Sequence, residues 1–90
     1  AYVAKSSTYT VTATDSIVEC DGSSTQFTVT LPTAVGCAGR EYTIKKVDAI
    51  NNVIVACNGA ETIDGAATKT LSAQWSALHV YSNGANWRIK

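Results

Sequence analysis

The amino-acid sequence predicts an all-β fold: a small, jelly-roll-like β-sandwich of about eight short antiparallel strands in one domain, residues 1–90. Three observations predict it. Apolar and polar residues alternate with a period of two along several segments, as on a strand with one buried face. Turn sequences containing Gly or Asn separate these segments at regular intervals. Thr and Val, whose branched side chains suit a pleated surface, are abundant, whereas Pro occurs once.

The predicted elements follow the alternation and the turn signals in chain order. Alternating or short apolar segments, each predicted to be a strand, are residues 9–14, 17–19, 26–31, 40–47, 53–56, 62–63, 68–71, 77–82 and 86–89. The turns and loops between them are predicted at residues 21–24, 32–39, 48–52, 58–59, 64–65 and 83–86. Residues 66–77 are the one segment that could be helical, but they lack apolar spacing at three and four and contain Thr.

Period two also predicts which side chains face inward. In residues 26–31, Phe27, Val29 and Leu31 share one face, which is expected to be buried. In residues 77–82, Leu78 and Val80 are expected to point inward, and His79 and Tyr81 outward. Trp87 and Ile89 at the end of the chain are expected to seal the core or a trimer axis. The side chains predicted to form the core or a trimer interface are Phe27, Val29, Tyr42, Ile44, Leu78, Val80, Trp87 and Ile89.

Charge excludes several classes of partner. Seven basic and seven acidic residues give a net charge of zero, which removes the usual electrostatic footprint of a nucleic-acid-binding protein. No apolar run approaches the roughly 20 residues of a membrane helix, so membrane insertion is not expected. The short basic cluster of Arg40, Lys45 and Lys46 is expected to lie on a solvated strand face. The sequence begins at Ala1 without Met, so we expect a C-terminal fragment of a longer protein.

The residue types required for catalysis are sparse. His79 is the one histidine, and it is predicted on an exposed strand position without a nucleophile partner. No two acidic residues form an obvious catalytic pair, and Asp21, Asp48 and Asp64 lie at turns, where Asp bonds its own backbone. We therefore expect no enzyme activity, no cofactor and no metal site.

The three cysteines, Cys20, Cys37 and Cys57, are an odd number without zinc-site spacing. Small buried thiols are the expected state, and a Cys20–Cys37 disulfide is the alternative. The sequence leaves their redox state open.

The aromatic and polar residues near the end of the chain are the candidate ligand-binding residues. Trp75 lies in a polar segment just before a strand, and the face of its indole would stack on the apolar side of a sugar ring. A chain–chain interface is the alternative role, since interfaces are enriched in Trp and Tyr. Turn amides and outward side chains of the last hairpin would bond sugar hydroxyls. The predicted receptor- or glycan-binding residues are Trp75, Tyr81, Asn83, Asn86 and Arg88.

The order of several motifs resembles a C-terminal module of bacteriophage tail fibre and tailspike proteins. The motifs are a strand ending in Leu31-Pro32, a loop closing on Gly39-Arg40, the strand Tyr42-Thr43-Ile44-Lys45, the turn Ile63-Asp64-Gly65, and a final hairpin with Asn83-Gly84 and Trp87. The likeness runs from about residue 9 to residue 89, and the three cysteines depart from it.

The resemblance implies a homotrimeric piece at the distal end of a virion fibre or spike, assembled in the cytoplasm of a bacterial host. It implies binding to a host-surface receptor, a glycan or a protein, with carbohydrate favoured. A trimerisation and folding clamp without a ligand is the alternative. A trimer also agrees with physical expectation, because a chain of this size buries little core and pairing between chains covers bare strand edges. No enzyme activity accompanies the module.

Overall fold

A computed structural model describes all residues from 1 to 90, and the fold is all-β without a helix, as the sequence predicts. Nine short strands form the fold. They are β1 (Tyr2–Lys5), β2 (Tyr9–Thr10), β3 (Ile17–Cys20), β4 (Phe27–Thr30), β5 (Glu41–Lys46), β6 (Val53–Ala56), β7 (Thr68–Leu71), β8 (Ala77–Ser82) and β9 (Trp87–Ile89). No helix in the chain has the length and apolar character needed to cross a membrane.

The strands form two sheets. The first has five strands in the order β1-β3-β5-β8-β9, and the second has four in the order β2-β4-β6-β7. The first six strands alternate between the two sheets, so the chain returns to each sheet after two crossings and runs in the same direction. Strands β1, β3 and β5 are therefore parallel, as are β2, β4 and β6. The first six strands therefore wind around the core like the beginning of a β-solenoid, and we call this part of the chain the coil.

The prediction of an antiparallel, jelly-roll-like arrangement is wrong for this coil. Antiparallel pairs occur only where β7, β8 and β9 join, at β5–β8, β6–β7 and β8–β9. Alternation and turn signals cannot reveal this difference, because a strand of a parallel pair and one of an antiparallel pair show the same period of two. The coarser prediction, two sheets that share a core, agrees with the structure.

The core lies between the sheets as one cluster of 16 buried residues drawn from both. Phe27, Val29 and Leu31 all belong to it, as their alternation predicts. Trp87 is completely buried, its ring lies 5.4 Å from that of Tyr42, and its indole N–H donates to the carbonyl of Pro32 at 3.1 Å. No buried side-chain nitrogen or oxygen lacks a hydrogen-bond partner. The single chain therefore encloses its own core, and assembly is not needed to complete it.

Several predicted elements agree closely with the structure, and others do not. The segments predicted at residues 53–56, 68–71 and 77–82 are strands with those bounds. In contrast, β2 is only two residues long where a strand over 9–14 was expected, and β1 was not predicted. Residues 62–63 do not form a strand, although Ile63 and Ala66 pair across a tight turn.

Lys46 is the clearest correction to the sequence reading. It was expected on a solvated face, but it is completely buried, on the same face of β5 as Tyr42 and Ile44. Its ammonium donates to the carbonyl of Asp48 at 2.6 Å and lies 3.3 Å from a carboxylate oxygen of that residue. The buried charge is thus paired and hydrogen-bonded, which is the condition for its tolerance in a core.

Candidate functional site

A cavity of about 330 Å³ opens where the parallel strands β1, β3 and β5 end. Its volume lies at the low end of the range of about 300 to 1,000 Å³ typical of ligand pockets. Most of its lining is polar, and the residues are Ala4, Lys5, Ser6, Glu19, Asp21 and Val47. These residues meet because parallel strands bring their carboxyl ends to one edge of a sheet.

Backbone hydrogen bonds continue past the ends of the strands and join the cavity to the turn before β8. The amide of Asp21 donates to the carbonyl of Lys5 at 2.9 Å, and the amide of Val47 donates to that of Cys20 at 3.0 Å. The amide of Trp75 then donates to the carbonyl of Lys46 at 2.8 Å. We call this region, the six cavity residues and residues 72–76, the carboxyl-end rim.

Trp75 is held in an unusual conformation on this rim. Its φ is 69°, in the left-handed region that side-chain-bearing residues seldom adopt, and 60 % of the residue is exposed. Lys45 donates to the carbonyl of Trp75 at 2.7 Å, and the side-chain amide of Gln74 donates to the carbonyl of Val47 at 3.2 Å. The turn is therefore fixed from both sides while the indole remains largely in solvent.

The polar groups of the cavity keep hydrogen-bonding capacity. One oxygen of Glu19 accepts the hydroxyl of Tyr2 at 2.7 Å, and one oxygen of Asp21 accepts the amide of Ser23 at 3.0 Å. A carboxylate accepts about four hydrogen bonds. Both side chains can therefore accept more from a ligand.

The remaining predicted binding residues lie at the other end of β8. Asn83 and Asn86 belong to the tip of the β8–β9 hairpin, and Tyr81 pairs with Arg88 on the outer face of the five-stranded sheet. Tyr81 lies six positions along the chain from Trp75, which in an extended strand corresponds to about 20 Å. The structure thus brings Tyr81 and Arg88 together but not with Trp75.

The two asparagines of the hairpin support the backbone. The side-chain oxygen of Asn83 accepts the amides of Ala85 and Asn86, at 3.0 and 2.9 Å. That of Asn86 accepts the amide of Thr62 at 3.0 Å. These oxygens stabilise the turn and its attachment to the preceding loop, which leaves the side-chain amide groups as the donors for a ligand.

The residues predicted to form the core or a trimer interface are placed mostly in the core. Seven of the eight are buried, and Ile89 is 39 % exposed on the edge strand β9.

The side chains with metal-binding or catalytic chemistry do not converge. His79 lies on the outer face of β8 and bonds Glu41 at 2.9 Å, and Lys90 bonds the same carboxylate at 3.1 Å. Hydrogen bonds from Lys90 and His79 lower the pKa of Glu41. No group of three or more His, Cys, Asp or Glu side chains is arranged to hold a metal ion.

Sequence reasoning selected Trp75 but missed the cavity of the carboxyl-end rim. Glu19 and Asp21 carry the one available signal: two acidic residues alternate around the buried Cys20 at the end of a strand. Lys5 and Ser6 carry none, because β1 itself was not predicted. Only the parallel pairing of β1 with β3 brings these residues together.

The chain was compared with protein-family models, with curated proteins and with solved structures, and none of them matches it.

Proposed function

We propose that the chain is an adhesion module at the distal end of a bacteriophage tail fibre or tailspike, and that it binds a host-surface carbohydrate at the carboxyl-end rim. The resemblance of its motifs to such modules supports the virion setting. The module acts by binding, without catalysis, as part of a homotrimeric fibre.

The observation that carries this proposal is the conformation of Trp75. A left-handed conformation costs a residue with a side chain about 1 to 2 kcal/mol, and exposure of an indole forgoes the gain from its burial. Both costs lower stability, and hydrogen bonds from Lys45 and Gln74 hold the turn in place. A strained and exposed aromatic residue, in a turn that hydrogen-bonds to Val47 of a polar cavity, is the arrangement expected of a sugar-binding surface, where the ring stacks and the polar groups bond hydroxyls.

Binding of the fluorescently labelled chain to a panel of bacterial cells and their purified surface polysaccharides tests the proposal. Trp75→Ala is expected to abolish binding. The matched control is Val35→Ala, which removes an exposed side chain in the loop between β4 and β5. Unchanged binding by a folded Trp75→Ala variant would refute the assignment of the site to the rim.

Arg88→Ala separates the two ends of β8. It removes an exposed charge beside Tyr81 and leaves the rim intact. Binding that is lost in Arg88→Ala and retained in Trp75→Ala would move the receptor site to the β8–β9 hairpin.

A trimerisation clamp is the second candidate, and one feature of the outer sheet face favours it. Tyr2 and Ile17 are neighbours in the register of β1 and β3, and they are 59 % and 44 % exposed. They lie next to the open edge of β1, where unpaired backbone groups favour pairing with another chain. Because one chain encloses its own core, the support for a trimer comes from this exposed surface and from the open edge of β1.

Light scattering on the purified chain at micromolar concentration tests the assembly. A homotrimer that Ile17→Lys dissociates, and that Ile50→Lys in the exposed loop after β5 does not, would support the clamp. A stable monomer would refute it.

A further inference from the structure

We infer that the cavity of the carboxyl-end rim accepts sugars rich in hydroxyl or amino donors and rejects acidic sugars, an inference that rests on the proposed carbohydrate function. Glu19, Asp21 and Lys5 are among the residues that line the cavity, and they carry two negative charges and one positive charge. The ligand must therefore supply mainly donors and must not add negative charge.

The carboxylates determine the donor requirement. Each accepts one hydrogen bond from within the chain, from Tyr2 and Ser23 respectively. Their remaining lone pairs accept but cannot donate. Hydroxyl groups and ammonium groups satisfy them through charge-assisted hydrogen bonds, which are about twice as strong as neutral ones.

Lys5 does not neutralise these carboxylates. Its ammonium lies over the ring of Tyr9, 4.4 Å from the centroid, and is absent from the three ion pairs of the chain. Ser6, which also lines the cavity, carries a hydroxyl that can donate to a ring oxygen or a hydroxyl oxygen of a sugar. The cavity therefore contains both donors and acceptors, as a polyol requires, with one more negative charge than positive.

This charge balance decides the class of sugar. The carboxylate of a uronic acid would approach the acidic residues Glu19 and Asp21, while the ammonium of Lys5 is held over the ring of Tyr9, and like charges at short range repel. The protonated amine of an amino sugar would instead be attracted by the negative charges of Glu19 and Asp21. We expect affinity to decrease from amino sugars through neutral sugars to acidic sugars.

Three short oligosaccharides test the order by calorimetry at low salt: chitosan, dextran and polygalacturonate oligomers. The double variant Glu19→Gln/Asp21→Asn retains shape and removes both charges. It is expected to lower affinity for the chitosan oligomers by about tenfold or more, the loss of a charge-assisted hydrogen bond, and to abolish the discrimination against polygalacturonate. Glu41→Gln, a carboxylate on the same sheet outside the cavity, is the matched control and should leave the order unchanged.

Two patterns of sugar preference would overturn the inference without affecting the proposed function, and a third outcome, the absence of sugar binding, would do the same where cells are still decorated. One is a preference for polygalacturonate that Trp75→Ala abolishes. The other is an order that the double variant changes no more than Glu41→Gln does. If none of the three oligosaccharides binds while host cells are still decorated in a Trp75-dependent manner, the inference fails and the adhesion function stands. If the wild-type chain binds neither cells nor saccharides, both fail.

Discussion

The ammonium of Lys46 and the carboxylate of Asp48 form a buried ion pair, 3.3 Å apart, at the end of β5. The same carboxylate accepts the amides of Gly22, Ile50 and Asn51, at 2.7, 2.9 and 3.1 Å. It therefore joins the loop after β3 to the loop after β5, which belong to successive turns of the coil. Because Val47 between the two charged residues lines the cavity, this pair supports the carboxyl-end rim.

Asp48 should make stability depend on acidic pH. Burial alone raises its pKa, but hydrogen bonds from the three amides and from Lys46 outweigh burial and hold the pKa well below the usual value of 3.8. A depressed pKa in the folded state contributes stability that is present above pH 3.8 and is lost as the pH falls below it. Urea unfolding between pH 7 and pH 2 should show this loss, and it should be smaller in Asp48→Asn. Equal acid sensitivity in both proteins would contradict the prediction.

Removal of either member of the buried pair should destabilise the chain unequally. Asp48→Asn places an amide nitrogen among backbone N–H donors and leaves the buried charge of Lys46 without a partner. We therefore expect the free energy of unfolding to fall by about 3 to 5 kcal/mol. Lys46→Met retains the three backbone donors to Asp48 and should cost less. The double variant should be more stable than the sum of the two single effects predicts, since no charge is stranded. Additive free energies of unfolding would show that the two residues are not coupled.

Trp75 should tolerate glycine better than alanine. At a φ of 69° a residue with a Cβ is strained and Gly is not, so Trp75→Gly should be more stable than Trp75→Ala by about 1 kcal/mol. Thermal unfolding measures the difference. Val35, in the loop between β4 and β5, is the control because its φ is not positive. There, Val35→Ala should be as stable as Val35→Gly or more stable. Greater stability of Trp75→Ala would show that the turn relaxes in the variant.

The thiol of Cys20 should be inert in the folded chain. Burial, with a smaller contribution from the charge of Asp48, raises its pKa to about 12, and the thiolate is the reactive form. At pH 8 a chromogenic thiol reagent should label Cys37 and Cys57 before Cys20. Cys57 should react more slowly than Cys37, since burial raises the pKa of Cys57. In urea all three should react. Labelling kinetics of Cys20→Ala identify the slow thiol, and a native Cys20 that reacts as fast as Cys37 would contradict the prediction.

Two turns show what residues close together in the sequence can specify. Asp64-Gly65 was predicted as a turn, and both residues adopt positive φ, 48° and 85°, between the bonded pair Ile63 and Ala66. The final turn at residues 83–86 likewise joins β8 to β9. In both cases the residues that form the turn also specify it, so the sequence was sufficient.

The amino-acid sequence by itself determined most of the strands and which face of most of them is apolar, because a period of two is a property of neighbouring residues. Only the tertiary structure decided that the coil is parallel, because pairing joins residues far apart in the chain, such as Tyr2 with Ile17. The cavity follows from that pairing, since Lys5 and Asp21 meet only when their strands run in the same direction. Lys46 shows the boundary between the two. Its charge led to the expectation of a solvated position, and only the tertiary structure, which supplies Asp48 as a partner, decides that the charge is buried.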